Sequence, residues 1–229
     1  MKINWRFDLP QLLLIGGAFA VAAWAWPQLP ERLPTHWNIH GEADGWGNKF
    51  TALLLVPLIM VGVYLLMLLL PLVDPGRANY QNFPKAYNVI RVAILAYLSA
   101  IYAATLAAAF GYKINMMSVI LPLVGVLLIV LGNFLGKIRP NWFVGIRTPW
   151  TLSSQLSWDK THRVGGWLFI AMGLLFFPVA LIQTTWSLVA MLVIDACMLG
   201  WLVVYSYMVY RNDPQRMPPA GTLPHGDQQ

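Results

Sequence analysis

Six long apolar runs, separated by shorter polar segments, dominate the pattern of hydrophobic and polar positions along the chain. The runs cover about residues 9–26, 50–72, 87–110, 116–135, 167–182 and 187–210. A helix of about 20 apolar residues crosses the hydrocarbon layer of a membrane. The pattern therefore predicts an all-α membrane protein with six transmembrane helices. Residues 10–72 would form a first helical pair, residues 87–210 a four-helix part, and residues 211–229, rich in Pro, Gly and Gln, a disordered tail.

The composition fits a single membrane-embedded domain over residues 1–229. Hydrophobic residues make up 58% of the chain and charged residues only 10%, whereas soluble domains are about one quarter charged. The basic N-terminal residues and the first apolar run would also suit a signal peptide, but we interpret the run as a retained first span. The single cysteine, Cys197, leaves no partner for an intrachain disulfide and no Cys-based metal site.

The distribution of positive charge predicts the orientation in the membrane. With six spans, only Arg32, Lys49 and Lys113 of the fifteen Lys and Arg residues lie on one side, and the other twelve lie on the side of the two termini. Cytoplasmic loops carry such an excess of Lys and Arg. We therefore expect both termini and the central loop, residues 136–166, to be cytoplasmic, and residues 27–49 to face outward. The net charge of +6 then needs no nucleic-acid partner.

The central loop combines basic residues with tryptophans, as segments at membrane headgroups do. Thr148-Pro149 predicts a helix start, with Thr148 as the cap and proline in the first turn. The helix would run to about Arg163 and end at Gly165-Gly166, before the fifth span. On such a helix Asp159 would face His162 and Arg163, and Trp158 would share an edge with His162.

Two interpretations of this loop stay open. In the first, it is an interfacial helix whose charges pair locally and whose tryptophans anchor it. In the second, Arg147, Asp159, His162 and Arg163 hold a cytoplasmic cap over the helices or form a docking surface for a partner.

The outward segment holds four candidate metal ligands within nine residues, namely His36, His40, Glu42 and Asp44. Imidazole and carboxylate groups suit a zinc site that leaves one position open. The alternative is a compact loop in which Asn38 and Asp44 close turns through side-chain to backbone hydrogen bonds. A third hypothesis uses Trp37 and Trp46 as contact area for a peptide ligand.

Asp195 is predicted deep inside the sixth span, where a carboxylate is costly unless it is paired or protonated. Tyr102 and Thr105 of the third span lie at a comparable depth and are its predicted hydrogen-bond partners. Asp195 would then either fix the helix register as a neutral group or carry a proton. Gly132 and Gly136 form a small-xxx-small pair, which favours close helix packing.

Residues 141–153 (NWFVGIRTPWTLS), Trp158 and residues 161–166 (THRVGG) resemble the signature of the SdpI immunity protein family. The outward residues 33–38 (LPTHWN), with Gly41, Asp44 and Gly45, resemble the uncharacterised N-terminal domain that is often joined to this signature. The resemblance implies a multispanning protein of the bacterial inner membrane that protects the cell from a secreted, membrane-damaging peptide toxin. In the founding case it also implies a receptor that, with toxin bound, holds a transcriptional autorepressor at the membrane.

The function expected from the resemblance is therefore immunity and signalling without covalent chemistry or a cofactor. The expected partners are membrane lipid, a peptide toxin outside and a regulator protein in the cytoplasm. The residues expected to bind them are His36, Trp37, Asn38, Asp44, Asn141, Arg147, Thr148, Trp150, Trp158, Asp159, His162 and Arg163. Two alternatives stay open: a small proton-linked transporter that uses Asp195, and a metal-binding membrane enzyme that uses His36, His40 and Asp44.

Overall fold

The computed structural model describes residues 5–216, and helices make up most of them. The α-helices are α1 (Trp5–Ala25), α2 (Lys49–Val73), α3 (Pro84–Ala109), α4 (Met116–Leu135), α5 (Pro149–Leu152), α6 (Gln155–Ile182) and α7 (Thr185–Arg211). All of them except α5 are long and apolar enough to cross a membrane. This confirms the six predicted spans. A 3-10 helix, Arg77–Asn82, connects α2 and α3.

The segment between α1 and α2 folds into a β-hairpin. Strand β1 (Arg32–Trp37) pairs antiparallel with β2 (Ala43–Asn48). At the turn, the Oδ1 atom of Asn38 accepts hydrogen bonds from the backbone N–H groups of His40 and Glu42, so the predicted turn role of Asn38 is confirmed. Gly41 completes the turn with a φ of +78°, a left-handed conformation that favours glycine. Leu33 of β1 is buried in the core formed with α1, α2 and α3.

The helices pack as two groups that meet where α3 contacts α4. α3 lies against α1 and α2, whereas α4 packs against α6 over the most extensive helix contact, and α6 contacts α7. The loops between the helices form two surfaces. We call the surface with residues 74–83, 136–154 and 211–216, together with the adjoining ends of the helices, the terminal face, and the one with residues 26–48, 110–115 and 183–184 the hairpin face. Which of them faces the cytoplasm stays a prediction from charge.

Two layers of glycines bring α4 and α6 into backbone contact. A Cβ atom added to Gly132 would lie 2.6 Å from the carbonyl oxygen of Gly166, and one added to Gly125 would lie 2.6 Å from that of Gly173. The reverse additions, at Gly166 and Gly173, would lie 2.7 and 2.5 Å from the facing carbonyl oxygens. Small residues allow such an approach between membrane helices. The expected close packing at Gly132 therefore occurs against α6.

The helix predicted from Thr148 to Arg163 is correct at its start and wrong in its extent. Thr148 caps α5 in a capping box with Thr151. However, α5 ends at Leu152, and Ser154 caps a new helix, α6, that continues without a break to Ile182. The pair Gly165-Gly166 does not end the helix, because the missing side chains make room for α4 and for the side chain of Ile146. The separate interfacial helix is thus only α5, and the helix that contains the fifth span begins at Gln155.

The predicted disordered tail is described only in part. Arg211 ends α7, and residues 212–216 form a turn in which the backbone N–H of Asp213 donates to the carbonyl oxygen of Tyr210. Residues 217–229 lie outside the described part of the chain, and their disorder stays a prediction.

Candidate functional site

On the terminal face, the buried carboxylate of Asp74 joins the α2–α3 loop to the central loop. It accepts hydrogen bonds from the Gly76 N–H (2.6 Å), the Tyr80 hydroxyl (2.8 Å) and the Trp142 N–H (3.1 Å). Burial, followed by the hydrogen bond to Asp74, raises the pKa of Tyr80, so this hydroxyl stays protonated and remains a donor. Sequence reasoning missed Asp74, because Asp-Pro-Gly at residues 74–76 is typical of an ordinary turn.

Asn141 organises the start of the central loop. Its Oδ1 atom accepts from the backbone N–H groups of Phe143 and Val144, and its Nδ2 group donates to the carbonyl oxygens of Arg139 and Val144. The neighbouring Pro140 carbonyl accepts from the side chain of Asn79 in the 3-10 helix, at 2.6 Å. Asn141 is buried, and every one of these bonds shapes the loop. Any contact between Asn141 and a partner therefore stays a prediction.

His162 fixes the middle of the central loop onto α6. Its Nδ1 atom lies 2.8 Å from the Trp158 carbonyl oxygen, and its Nε2 atom lies 3.0 Å from the Ile146 N–H. An Nε2 that accepts and an Nδ1 that donates define one neutral tautomer. Gly145 has a φ of +113°, and its Cα faces the imidazole so closely that a Cβ atom would collide with Nε2. The ring of His162 also stacks on Trp158 at 4.0 Å, as the predicted shared edge requires.

Trp158 is a core residue, which corrects its predicted role as an interfacial anchor. Its side chain is 0% exposed, and its Nε1–H donates to the carbonyl oxygen of Ile138 at 2.9 Å. The central loop folds back over α6 and covers the ring, so the indole satisfies its polar atom inside the protein. Trp150, in contrast, is half-buried and packs against Tyr207 of α7, with ring centroids 5.2 Å apart.

Hydroxyl groups attach the central loop to α7. The Thr148 hydroxyl lies 3.1 Å from that of Ser206, and the Ser157 hydroxyl donates to the Ser206 carbonyl oxygen at 2.8 Å. The Ser154 hydroxyl donates to the carboxylate of Asp213 just after α7. This bond, and next the donation from the Gln215 N–H, hold the pKa of Asp213 below its usual value.

The predicted pairing of Asp159 with His162 and Arg163 is wrong. Its carboxylate oxygens instead lie 3.5 Å from Arg139 Nη1 and 3.0 Å from Gln155 Nε2. The central loop brings Arg139 to this side of α6, which the linear spacing could not reveal. Arg147 donates to the Trp142 carbonyl oxygen at 2.6 Å, and Arg163 is exposed. These cations leave a basic outer surface on the terminal face.

On the hairpin face, the candidate metal ligands do not converge. His36 Nδ1 lies 2.5 Å from Asp44 Oδ1 across the two strands, so Asp44 pairs with His36 and does not close a turn. His40 lies at the hairpin turn instead, where its carbonyl oxygen accepts from Asn115. Among residues 5–216, no three His, Cys, Asp or Glu side chains are grouped so that they could hold a metal ion.

Asn115 joins three segments on the hairpin face. Its Nδ2 group donates to the His40 carbonyl oxygen at 2.9 Å and to Gln183 Oε1 at 3.1 Å, while its Oδ1 caps α4. Gln183 ends α6 in a left-handed conformation. The hairpin turn therefore rests on the beginning of α4 and the end of α6. Sequence reasoning missed this residue, although an Asn directly before an apolar run is a helix-cap signal.

A cavity of about 590 Å³ opens between the hairpin and the α3–α4 connection. Aromatic side chains line it, together with charged residues of both signs. Trp46 is 60% exposed and Tyr112 is 71% exposed. Its lining includes Trp37, Glu42, Trp46, Tyr112 and Lys113.

Inside the membrane region, the predicted partners of Asp195 are wrong. The Tyr102 hydroxyl donates to the Leu53 carbonyl oxygen at 2.9 Å, and the Thr105 hydroxyl donates within α3. α7 packs against α5 and α6, so equal depth did not mean contact. Within the described part of the chain, Oδ1 of Asp195 is buried without a hydrogen-bond partner.

A buried ion pair near the terminal face escaped the sequence analysis. Arg91 Nη2 of α3 lies 2.8 Å from Asp8 Oδ1 of α1, and each side chain is 1% exposed. Arg91 also donates to Asn88 at 3.0 Å and lies over the ring of Tyr64 at 5.5 Å. The sequence analysis had counted Arg91 only as one of the positive charges on the side of the termini.

Comparison with known proteins gives two separate family matches, one near the start of the chain and one in its second half. Residues 137–206 match the SdpI/YfhL protein family, and residues 13–61 match a domain of unknown function, DUF1648. The chain is 24% identical over 205 residues to the immunity protein SdpI of Bacillus subtilis (strain 168), a match that covers 90% of this chain and 96% of that protein. No solved structure matches the chain. With its six membrane helices, the chain is a multi-pass protein of the bacterial inner membrane, and its residues 137–206 carry the sequence pattern of the SdpI/YfhL protein family.

Proposed function

We propose that this protein gives its cell immunity to a membrane-active peptide by binding that peptide on the hairpin face. The observation that carries the proposal is the aromatic cavity between the hairpin and the α3–α4 connection. SdpI, to which the chain is similar, is an immunity protein. The positive-charge bias predicts that the hairpin face is exposed outside the cell, where a secreted peptide arrives.

The chemistry of the cavity suits a short peptide segment. Trp37, Trp46 and Tyr112 offer rigid amphipathic surface, which contributes strongly to binding at protein interfaces. Glu42 and Lys113 lie on the same lining and can pair with charges on a peptide. A volume of about 590 Å³ is typical of a ligand pocket and holds only a few side chains. The rest of the peptide would stay in the membrane or in solution.

Binding there would be reported to the terminal face through α4 and α6. Asn115 and Gln183 connect the hairpin turn to the adjoining ends of these helices. The glycine layers pack α4 and α6 too closely for independent movement. At the other end, His162 of α6 holds the central loop at Ile146. A displaced hairpin would thus move the surface to which a cytoplasmic regulator binds.

The test is the survival of toxin-sensitive cells that carry this protein, exposed to culture fluid of the source organism. We expect the wild type to protect, and the variants Trp46→Ala and Tyr112→Ala to lose protection. Trp186→Ala is the matched control, because Trp186 is 82% exposed near the same face but does not line the cavity. Membrane levels of each variant are measured in parallel.

The outcomes separate the parts of the proposal. Absence of protection by the wild type refutes the immunity function, whereas protection by both cavity variants refutes the binding site alone. Signalling is tested by transcript profiles after exposure, with Arg147→Ala as the variant and Arg216→Ala as the control. If no transcript depends on the protein, immunity stands without a regulator.

Asp195 supports a second candidate function, a proton-linked transporter. A buried carboxyl group with an unpartnered oxygen is the kind of group that carries protons across membranes. In that case Asp195→Asn should abolish protection, or uptake of a substrate, without lowering thermal stability. Full protection by Asp195→Asn would remove this alternative.

A further inference from the structure

A second cavity, of about 480 Å³, lies on the terminal face between the start of α3 and the end of α4. Its lining includes Lys85, Lys137 and Arg139 together with the aromatic side chains of Phe83 and Phe134. It is far along the chain from the hairpin residues, and none of the residues used in the proposed toxin site lines it. The two cavities are therefore separate candidate sites.

The cavity carries an excess of positive charge. Among residues 5–216, Asp159 is the only carboxylate paired with any of its three cations, and the distance to Arg139 is a long 3.5 Å with both side chains partly exposed. An exposed pair of this kind neutralises little charge. Lys85 and Lys137 are exposed and form no ion pair among the described residues.

The position of the cavity suits a ligand with an anionic head and apolar tails. α3 and α4 both cross the membrane, so a cavity between their ends lies at the depth of the lipid headgroups. Phe134 is half-buried and lies 4.4 Å under the Lys137 ammonium group, which places an apolar ring beside a cation. Pro84 begins α3, and the N-cap residue Phe83 makes no side-chain cap hydrogen bond, so the positive end of the α3 dipole lies beside the cations.

We propose that this cavity binds the phosphate headgroup of an anionic membrane phospholipid. Lys85, Lys137 and Arg139 contact the phosphate, and the acyl chains lie along the outer surface of α3 and α4. Basic pockets between membrane helices on the cytoplasmic side recognise anionic lipids in this way. A soluble phosphate compound has the same charge but would gain nothing from the membrane depth and the apolar rim.

The experiment measures lipid adducts of the full-length purified protein by native mass spectrometry. Phosphatidylglycerol is compared with phosphatidylcholine of the same acyl chains. We expect the wild type to retain the anionic lipid preferentially, and the double variant Lys85→Gln/Lys137→Gln to bind it about tenfold more weakly or worse, since each basic residue near a membrane surface contributes to attraction. The control Arg77→Gln/Lys160→Gln loses the same charge elsewhere on the terminal face and should bind like the wild type.

Two further measurements keep the result decisive. Lys85→Arg/Lys137→Arg retains the charges and should bind like the wild type, so a loss caused by misfolding is recognised. A millimolar excess of glycerol phosphate should not displace the lipid, whereas displacement would identify a site for soluble phosphates and overturn the proposal. Equal binding by Lys85→Gln/Lys137→Gln and the wild type would overturn it as well. No toxin enters this assay, so its outcome is independent of the proposed immunity function.

Discussion

Replacing Gly132 by alanine tests whether the glycine layers hold α4 against α6. The new Cβ atom would lie 2.6 Å from the Gly166 carbonyl oxygen, whereas ordinary contact begins near 3.4 Å. The obstructing atom belongs to the backbone of a helix and cannot rotate away. The two helices must therefore separate by several tenths of an ångström along their contact.

The expected cost follows from this separation. Overfilling a packed interior costs about 1–3 kcal/mol, because a gap of 0.5–1 Å already forfeits a quarter to a half of the dispersion energy of each contact. Alanine also favours a helix over glycine by about 1 kcal/mol, which partly hides the cost. The matched control Gly62→Ala gains the same preference in α2, where nothing lies within 4 Å of the added atom. The difference between the two variants isolates the steric effect, and we expect about 1–3 kcal/mol.

The assay is reversible unfolding in mixed micelles of a mild detergent and SDS, followed by circular dichroism. Gly62→Ala should be as stable as the wild type or slightly more stable, and Gly132→Ala should be clearly less stable than Gly62→Ala. The double variant Gly132→Ala/Gly166→Ala adds a second test. Both residues belong to one layer, so the first change already separates the helices. The double variant should therefore lose less stability than the sum of the losses in the two single variants.

Equal stability of Gly132→Ala and Gly62→Ala would refute the reasoning, since it would mean that α4 and α6 do not approach as closely as described. Strict additivity of the two single changes would likewise show that the residues do not share one layer.

Three other predictions concern polar contacts. The pKa of Asp213 is held below its ordinary value of 3.8, chiefly by the Ser154 hydroxyl. The carboxylate therefore adds stability that is complete above pH 3.8 and disappears as the pH falls through the lower pKa of the folded state. The difference in melting temperature between the wild type and Asp213→Asn should thus vanish in acid, and a difference independent of pH would contradict this. Asp8→Asn leaves the buried charge of Arg91 without its carboxylate and should lower the free energy of unfolding by about 3–5 kcal/mol. The double variant Asp8→Asn/Arg91→Gln should lose less stability than Asp8→Asn alone. Thermal unfolding in detergent measures both losses, and a larger loss in the double variant would contradict the prediction. Asn115→Ala should speed hydrogen exchange in residues 38–42 but not in α1, and unchanged exchange at the hairpin turn would show that Asn115 does not hold it.

The sequence predicted the spans well because hydropathy alone decides which segments enter a membrane. The fourth predicted span, residues 116–135, agrees with α4 to the residue, since Asn115 and a polar stretch bound it. The break predicted before the fifth span was wrong, because the helix that contains this span begins at Gln155, twelve residues before the apolar run at residue 167. Gly165-Gly166 discourages a helix locally, and only the neighbouring backbone of α4 explains why two glycines stand inside one.

The site was predicted less completely because its bonds join distant segments. Trp158 and His162 are four residues apart on one helix, so the sequence predicted that they share an edge, and their rings do stack. The bond from the Trp142 N–H to Asp74 spans 68 positions, and the pair of Asp8 with Arg91 spans 83. No local pattern reveals such partners. Depth counted along single spans likewise placed Tyr102 level with Asp195 without showing that the Tyr102 hydroxyl donates to Leu53 instead.

The two family matches leave residues 62–136 uncovered, and this gap contains the elements that connect the matched parts. The hairpin belongs to the first match and all of α6 to the second, yet they meet through Asn115 at the start of α4. Two of the four glycines that pack α4 against α6, Gly125 and Gly132, likewise lie in the uncovered segment. Within residues 5–216, the hydrogen bonds that connect the hairpin turn to α6 run through Asn115, so a peptide bound at the hairpin would influence the central loop through this segment. Sensing, if the protein performs it, should therefore fail in variants of α4 that leave both matched parts folded.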